Sequence, residues 1–268
     1  MEIITSLQNE KLKTLQRMHK KQWRDESGLF LIEGKKEISF ALRNNFALQS
    51  LWVTEKQVSA SDELLKFLKK EIPVYQITQE LFAKIGYREK TEGIIAVAVK
   101  KNHALAGLDI KPHEPGLVLI GDNLEKPGNL GTLFRIADGS GAAAVFLTNQ
   151  KTDVYNPNVT RNSVGTVFTV PFYLTDISSA RTWLQKHNFK IFITTPVASK
   201  VFWDIDLHTN VALILGNEHS GVSDGWLEVI SEKIRIPMLG QNDSLNLSVS
   251  AGILCYEWLR QNQNYVEK

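Results

Sequence analysis

At 268 residues the chain is long enough for one large or two ordinary domains. Its 43% hydrophobic and 22% charged residues are those of a globular protein rather than a disordered one. The net charge of +2 is unevenly spread: residues 1–111 hold 19 Lys and Arg against 14 Asp and Glu, and the remainder 12 against 15. No apolar run approaches a membrane span, and the first residues lack the basic start and apolar core of a signal peptide. The one cysteine, Cys255, cannot form an internal disulfide, which suits a reducing cytoplasm.

In chain order, residues 6–24 carry Leu12, Leu15, Met18 or His19, and Gln22/Trp23 at helical spacing, with Lys13, Arg17, Lys20, Lys21 and Arg24 on another stripe. Six basic side chains against two acidic ones in the first 24 residues leave two readings of that stripe, a phosphate-contacting face and a solvated helix face. Strands are predicted at Phe30–Ile32, Leu51–Thr54, Val74–Ile77 and Ile94–Val99, with helices over 35–42 and 61–70. The alternation describes a small α/β domain over residues 1–105, followed by a Pro- and Gly-containing linker to about residue 115.

A second domain, 116–268, opens on Leu117-Val118-Leu119-Ile120, four apolar residues as in a strand buried on both faces. Asn129 is placed to cap the helix that follows, which carries Arg135. Further strands are expected at 144–147, near 168–174, at 190–195, 211–215 and 234–238. Helices are expected near 176–187 and from about 222 to 233, and residues 150–166 read as an active-site surface loop with some helix. From Leu245 to Leu259 only Glu257 is charged, so the final helix is apolar nearly all round and buried on several sides. The fold class is doubly wound α/β, in which polar residues at strand ends mark the site.

Familiar nucleotide signatures are missing. There is no Gly-x-x-x-x-Gly-Lys-Ser/Thr loop and no Gly-x-Gly-x-x-Gly between strand and helix, which removes the phosphate-binding turn a dinucleotide-dependent oxidoreductase needs. The six histidines form no His-x-x-x-His pair and a lone cysteine builds no zinc site, so no metal is expected. Three polar clusters follow strands instead: Asn129 and Arg135, Asn217 and Glu218, and Ser244 and Asn246. Each residue singly has a plain structural reading as a cap, a surface ion pair or a loop carboxylate.

Together, Asn129-Leu130-Gly131 through Arg135, Gly216-Asn217-Glu218 with Gly221, and Ile236-Pro237-Met238 through Ser244-Leu245-Asn246-Leu247-Ser248 resemble the three ordered motifs of the SpoU (TrmH) RNA ribose 2′-O-methyltransferases of the SPOUT superfamily. The resemblance covers roughly residues 115–262. A looser one, at Phe30–Gly34 and Glu92–Ala96, likens the N-terminal part to the substrate-binding domain often fused to that family.

The resemblance implies a parallel α/β domain with a deep trefoil knot, a homodimer, and S-adenosylmethionine bound by Leu215, Gly216, Asn217, Ile236, Met238 and Leu245. It puts Arg135 at the methyl-transfer step, with Asn129, Glu218, Ser244 and Asn246 holding Arg135 and the ribose. A guanidinium whose pKa exceeds 12 is an orienting, charge-stabilising group rather than a base, which leaves the proton acceptor open. His219 stands where the family commonly has a second glycine. The expected substrate is ribosomal RNA, with transfer RNA and a non-catalytic RNA-binding assembly factor as the alternatives.

Overall fold

Two sheets divide the chain in the computed structural model, which describes residues 1–58, 64–67, 71–87, 92–105, 115–228 and 231–262. Contacts group Met1–Asn102 with Asp153–Thr169 in one unit, and His103–Thr152 with Val170–Lys268 in the other. Most of the stretch 150–166, expected in the second domain as an active-site loop with some helix, therefore belongs to the first unit, within Asp153–Thr169. It carries a short helix at Pro157–Asn162, with Val159 and Thr160 buried.

The first unit is a mixed five-stranded sheet of β1 (Glu2–Ile4), β2 (Leu29–Glu33), β3 (Leu48–Thr54), β4 (Val74–Ile77) and β5 (Ile94–Val99), in the order β1-β4-β3-β5-β2. β1, β4 and β3 run parallel, while β5 is antiparallel to both β3 and β2. β1 and a helix at Gln79–Ile85 are additions to the predicted elements. The helix predicted over 61–70 falls largely outside the described residues.

The helix expected over 6–24 is two: α1 (Glu10–Arg17) and α2 (Lys21–Ser27). Leu12 and Leu15 face the core as predicted, and of the pair Met18 and His19 it is Met18 that is buried. The break has a cause in Arg24. Its Nη1 donates to the carbonyls of Met18 and His19 at 2.8 and 2.9 Å, taking two acceptors a continuous helix would need. Its Nη2 and Nε both meet Asp153 Oδ2 at 2.7 Å, and the side chain is 1% exposed. Arg24 is thus a buried structural cation, which corrects its place in the basic stripe.

The second unit is built on a seven-stranded parallel sheet: β6 (Leu117–Asp122), β7 (Ala144–Thr148), β8 (Phe172–Thr175), β9 (Lys190–Thr194), β10 (Lys200–Val201), β11 (Val211–Leu215) and β12 (Glu232–Arg235). The order is β10-β12-β9-β11-β6-β7-β8. β6, β7 and β11 are buried at every residue, as their unbroken apolar runs require of strands covered on both faces. From β6 the chain moves outward through β7 and β8. It then crosses to β9, and β11 fills the gap between β9 and β6. This reversal brings the carboxyl ends of β6 and β11 side by side, with Gly121 opposite Leu215.

Several boundaries differ from expectation. The helix expected to run to residue 233 is only Asp224–Leu227, and β12 ends at Arg235, which leaves Ile236–Met238 in a loop. The strand near 168–174 is a 3-10 turn, Thr166–Phe168, followed by β8. The helix bearing Arg135 spans Pro127–Gly139, with Pro127 at its first turn where a missing N–H costs nothing. Asn129 is therefore inside the helix rather than its cap. The final helix, Leu247–Gln261, begins after Asn246, whose Oδ1 accepts from the Ser248 N–H as the cap.

Candidate active site

The residues following β6 and β11 are tied together before any ligand is considered. Asp122, buried at the end of β6, accepts from the Thr148 hydroxyl at 2.8 Å, Asn149 Nδ2 at 3.1 Å and the Ser223 N–H at 2.7 Å. It joins the ends of β6 and β7 to the segment beyond the Gly216–Gly221 turn. The turn closes on itself through reciprocal backbone bonds between Asn217 and Gly221. Asn217 Oδ1 accepts from the His219 and Ser220 N–H groups, and its Nδ2 donates to the Asn123 carbonyl. A Cβ on Gly216 would lie 2.4 Å from the Gly221 carbonyl carbon and oxygen, so the turn itself demands glycine there.

Glu218 is the centre of the polar cluster. Oε1 accepts from Asn246 Nδ2 at 2.7 Å and from Asn129 Nδ2 at 3.1 Å, and Oε2 is paired with the Lys126 ammonium. Asn246 Nδ2 also reaches Asn129 Oδ1 at 3.1 Å, and the Ser248 hydroxyl donates to the Asn129 carbonyl at 3.4 Å. The Lys126 bond, then Asn129, then Asn246, hold the Glu218 carboxyl below the usual carboxylate range against the opposing effect of partial burial. Asn129 and Asn246, from the first and third motifs, thus meet at the carboxylate of the second.

Beside this cluster lies a cleft of about 470 Å³, within the range of small-molecule sites. Leu215, Gly216, Asn217, Glu218, Ile236, Met238, Ser244 and Leu245 all line it. Ser244 is exposed at its edge, while Ile236, Met238 and Leu245 are half-buried in loop segments whose backbone groups belong to no helix or sheet. Arg235, which also lines the cleft, has a buried Nε with no acceptor among the described residues. His219 also lines the cleft and is exposed.

Arg135 stands apart. It is exposed, six residues beyond Asn129 on the same helix, and takes no hydrogen bond or ion pair among the described residues. Arg17 and Lys20 are likewise exposed and unpaired, whereas Lys13 bonds Glu10 at 2.6 Å and Lys21 bonds Asp25 at 2.7 Å. Among the described residues no cluster of His, Cys, Asp and Glu could hold a metal ion. Cys255 is buried, its thiol pushed up to about 12 by desolvation, which makes it an inert core residue.

Sequence reasoning missed Lys126, Asp122 and Arg235. Asp122 had a signal, since an acidic residue closing a fully apolar strand must find partners. Lys126 had none, because its pairing depends on where β11 lands.

Residues 116–256 match the SpoU rRNA Methylase family, and residues 9–96 match an MRM3-like substrate binding domain. The chain is 30% identical to the 23S rRNA (guanosine(2553)-2′-O)-methyltransferase RlmP of Bacillus subtilis strain 168, over 96% of its own length and 98% of that protein's. It resembles the crystal structure of an RNA 2′-O ribose methyltransferase with TM-score 0.84 and 37% identity, covering 97% of this chain and 99% of the other. It resembles the AdoMet-bound rRNA methyltransferase from Sinorhizobium meliloti with TM-score 0.87 and 27% identity, covering 97% of each.

Proposed function

The chain belongs to the SpoU rRNA methylase family, and from that membership we propose that it transfers a methyl group from S-adenosylmethionine to a ribose 2′-hydroxyl of ribosomal RNA. The observation that carries the reading is the meeting of Asn129, Glu218 and Asn246, one residue from each motif, beside the cleft. A non-catalytic assembly factor has no use for that convergence.

The cleft suits the cofactor: it has apolar walls in Ile236, Met238 and Leu245, a close-packed glycine turn at Gly216, and the unsatisfied Arg235 Nε–H. When bound there, S-adenosylmethionine supplies an electrophilic methyl group on a sulfonium. The protein's task is then to align the hydroxyl with that methyl and take its proton. The exposed Arg135 guanidinium has the forked donor geometry that grips a phosphate of the target nucleotide. Asn129 and Asn246 fix the carboxylate facing the cleft, and Ser244 offers its hydroxyl at the rim.

Three finer statements belong to the same reading. The order β9-β11-β6, with β11 inserted between strands laid down earlier, supports a knotted C-terminal part. Val249 and Tyr256, each about half exposed on the final helix at 50% and 53%, form with Ile253 an apolar stripe suited to a second copy in a homodimer. A single buried cysteine suits the cytoplasm.

Incubation with methyl-labelled S-adenosylmethionine tests the reading, with unmodified ribosomal RNA and transfer RNA supplied in parallel. Label is expected in ribosomal RNA. In Arg135→Ala, transfer is expected to fall by at least about 10²-fold, as when one transition-state donor is removed, with cofactor affinity unchanged. Label in transfer RNA alone overturns the substrate, and loss of cofactor binding in Arg135→Ala overturns the role of that residue.

A further inference from the structure

Within the first unit, side chains join the α1–α2 break to the end of the helix Gln79–Ile85 and to the short helix Pro157–Asn162. Ile85 ends its helix on a carbonyl with no partner in that helix, and His19 Nε2–H donates to it at 2.9 Å. Tyr87 follows. Its N–H donates to Glu33 Oε2 and its hydroxyl accepts from Asn158 Nδ2, each at 2.7 Å. The two rings stack, with centroids 5.6 Å apart and planes 23° from parallel.

Neither ring is a core residue: Tyr87 is 39% exposed and His19 half-buried. Tyr87 is held both at its backbone N–H and at its hydroxyl, so little side-chain freedom remains to be lost on binding. The hollow beside the rings is only about 10 Å³, room for about one water, so a larger ligand meets the rings from outside. Cations surround it. Arg161 lines the hollow, three residues beyond Asn158 and on the same side of their helix, and Arg17 and Lys20 flank His19 in the sequence. All three are exposed and form no salt bridge among the described residues. Glu33, engaged by the Tyr87 N–H, is the one carboxylate lining the hollow among the described residues.

Resting on the RNA-substrate reading above, we propose that the His19–Tyr87 pair is a stacking platform for one unpaired base of the RNA, with Arg17, Lys20 and Arg161 taking the phosphates on either side. A fixed aromatic ring accepts the face of any base, and the cations follow the backbone. A base inside a duplex has both faces covered by its neighbours, so the surface fits a loop, a bulge or a single-stranded end rather than a helix. The segment Asp153–Thr169 thereby gains a task, since it carries Asn158 and Arg161 into the first unit.

The test measures binding of the full-length protein, without S-adenosylmethionine, to a short single-stranded RNA carrying 2-aminopurine and to the same RNA paired with its complement. Stacking on an aromatic ring quenches 2-aminopurine fluorescence. The parent protein is expected to bind the single strand more tightly than the duplex and to quench it. Tyr87→Leu is expected to weaken single-strand binding by about 5–150-fold and to abolish the quench, with the log–log salt slope unchanged. Tyr87→Phe, which keeps the ring, is expected to keep the quench. Arg161→Ala is expected to do the reverse of Tyr87→Leu, lowering the salt slope by about 0.7 while the quench remains. Unchanged binding by Tyr87→Leu overturns the proposal, as does a quench that survives in it or a duplex bound as tightly as the single strand. Altered sedimentation of Tyr87→Leu with RNA affinity intact overturns it in favour of a contact between copies of this chain. Failure of the unaltered protein to bind either RNA overturns instead the RNA reading on which the proposal rests.

Discussion

Two charged side chains show how differently this chain uses a salt bridge. Glu218 is partly open and its folded titration is lowered, so its contribution to holding the site together is present above the unfolded carboxyl value. That contribution is lost as pH falls through the folded value. Arg24 and Asp153, at 1% and 8% exposure, are sealed in the first unit, where the guanidinium also takes the Met18 and His19 carbonyls. Removing one member of such a pair strands the other in a poor solvent. Arg24→Met is expected to lower unfolding stability by about 3–5 kcal/mol, measured by urea denaturation, because Asp153 is left buried and unpaired. A loss below about 1 kcal/mol, the level of a surface pair, would show that the bridge is not structural.

At the scale of elements, the strands were legible because continuous apolar runs such as Leu117–Ile120 and Val211–Leu215 have few other homes. Helix ends were less so. Pro127 starts its helix two residues before Asn129, and the capping role expected there falls to Asn246 at the last helix. The break at Met18–Lys20 depends on Asp153, which lies 129 positions away from Arg24, beyond the reach of periodicity. This break changes the basic stripe. With Arg24 buried and Lys13 and Lys21 paired on their own helices, Arg17 and Lys20 are the exposed cations of the stripe that form no salt bridge among the described residues. Replacing both by alanine is expected to weaken RNA binding and reduce the log–log salt slope by roughly 1.5, about two phosphate contacts. An unchanged slope in filter binding across salt concentrations would make that stripe a solvated face.

At the scale of the whole molecule, each unit has its own sheet and core, and each matches a family of its own. The candidate site lies in the second unit: its residues come from three separated stretches of sequence, and only the strand order brings Asn129, Glu218 and Asn246 together. Asn129 and Glu218 are 89 positions apart and meet because β11 lies beside β6. Arg135 does not join them. In the proposed reaction, cofactor and carboxylate share the cleft and the exposed Arg135 guanidinium is left for the RNA backbone.

The measurement that tests this most directly locates the transferred methyl group. After reaction with labelled S-adenosylmethionine, the ribosomal RNA is hydrolysed in alkali, which cleaves next to every free 2′-hydroxyl and spares a 2′-O-methylated linkage. The account predicts that the label is recovered in alkali-resistant dinucleotides. Label recovered in mononucleotides, on a base, would contradict it.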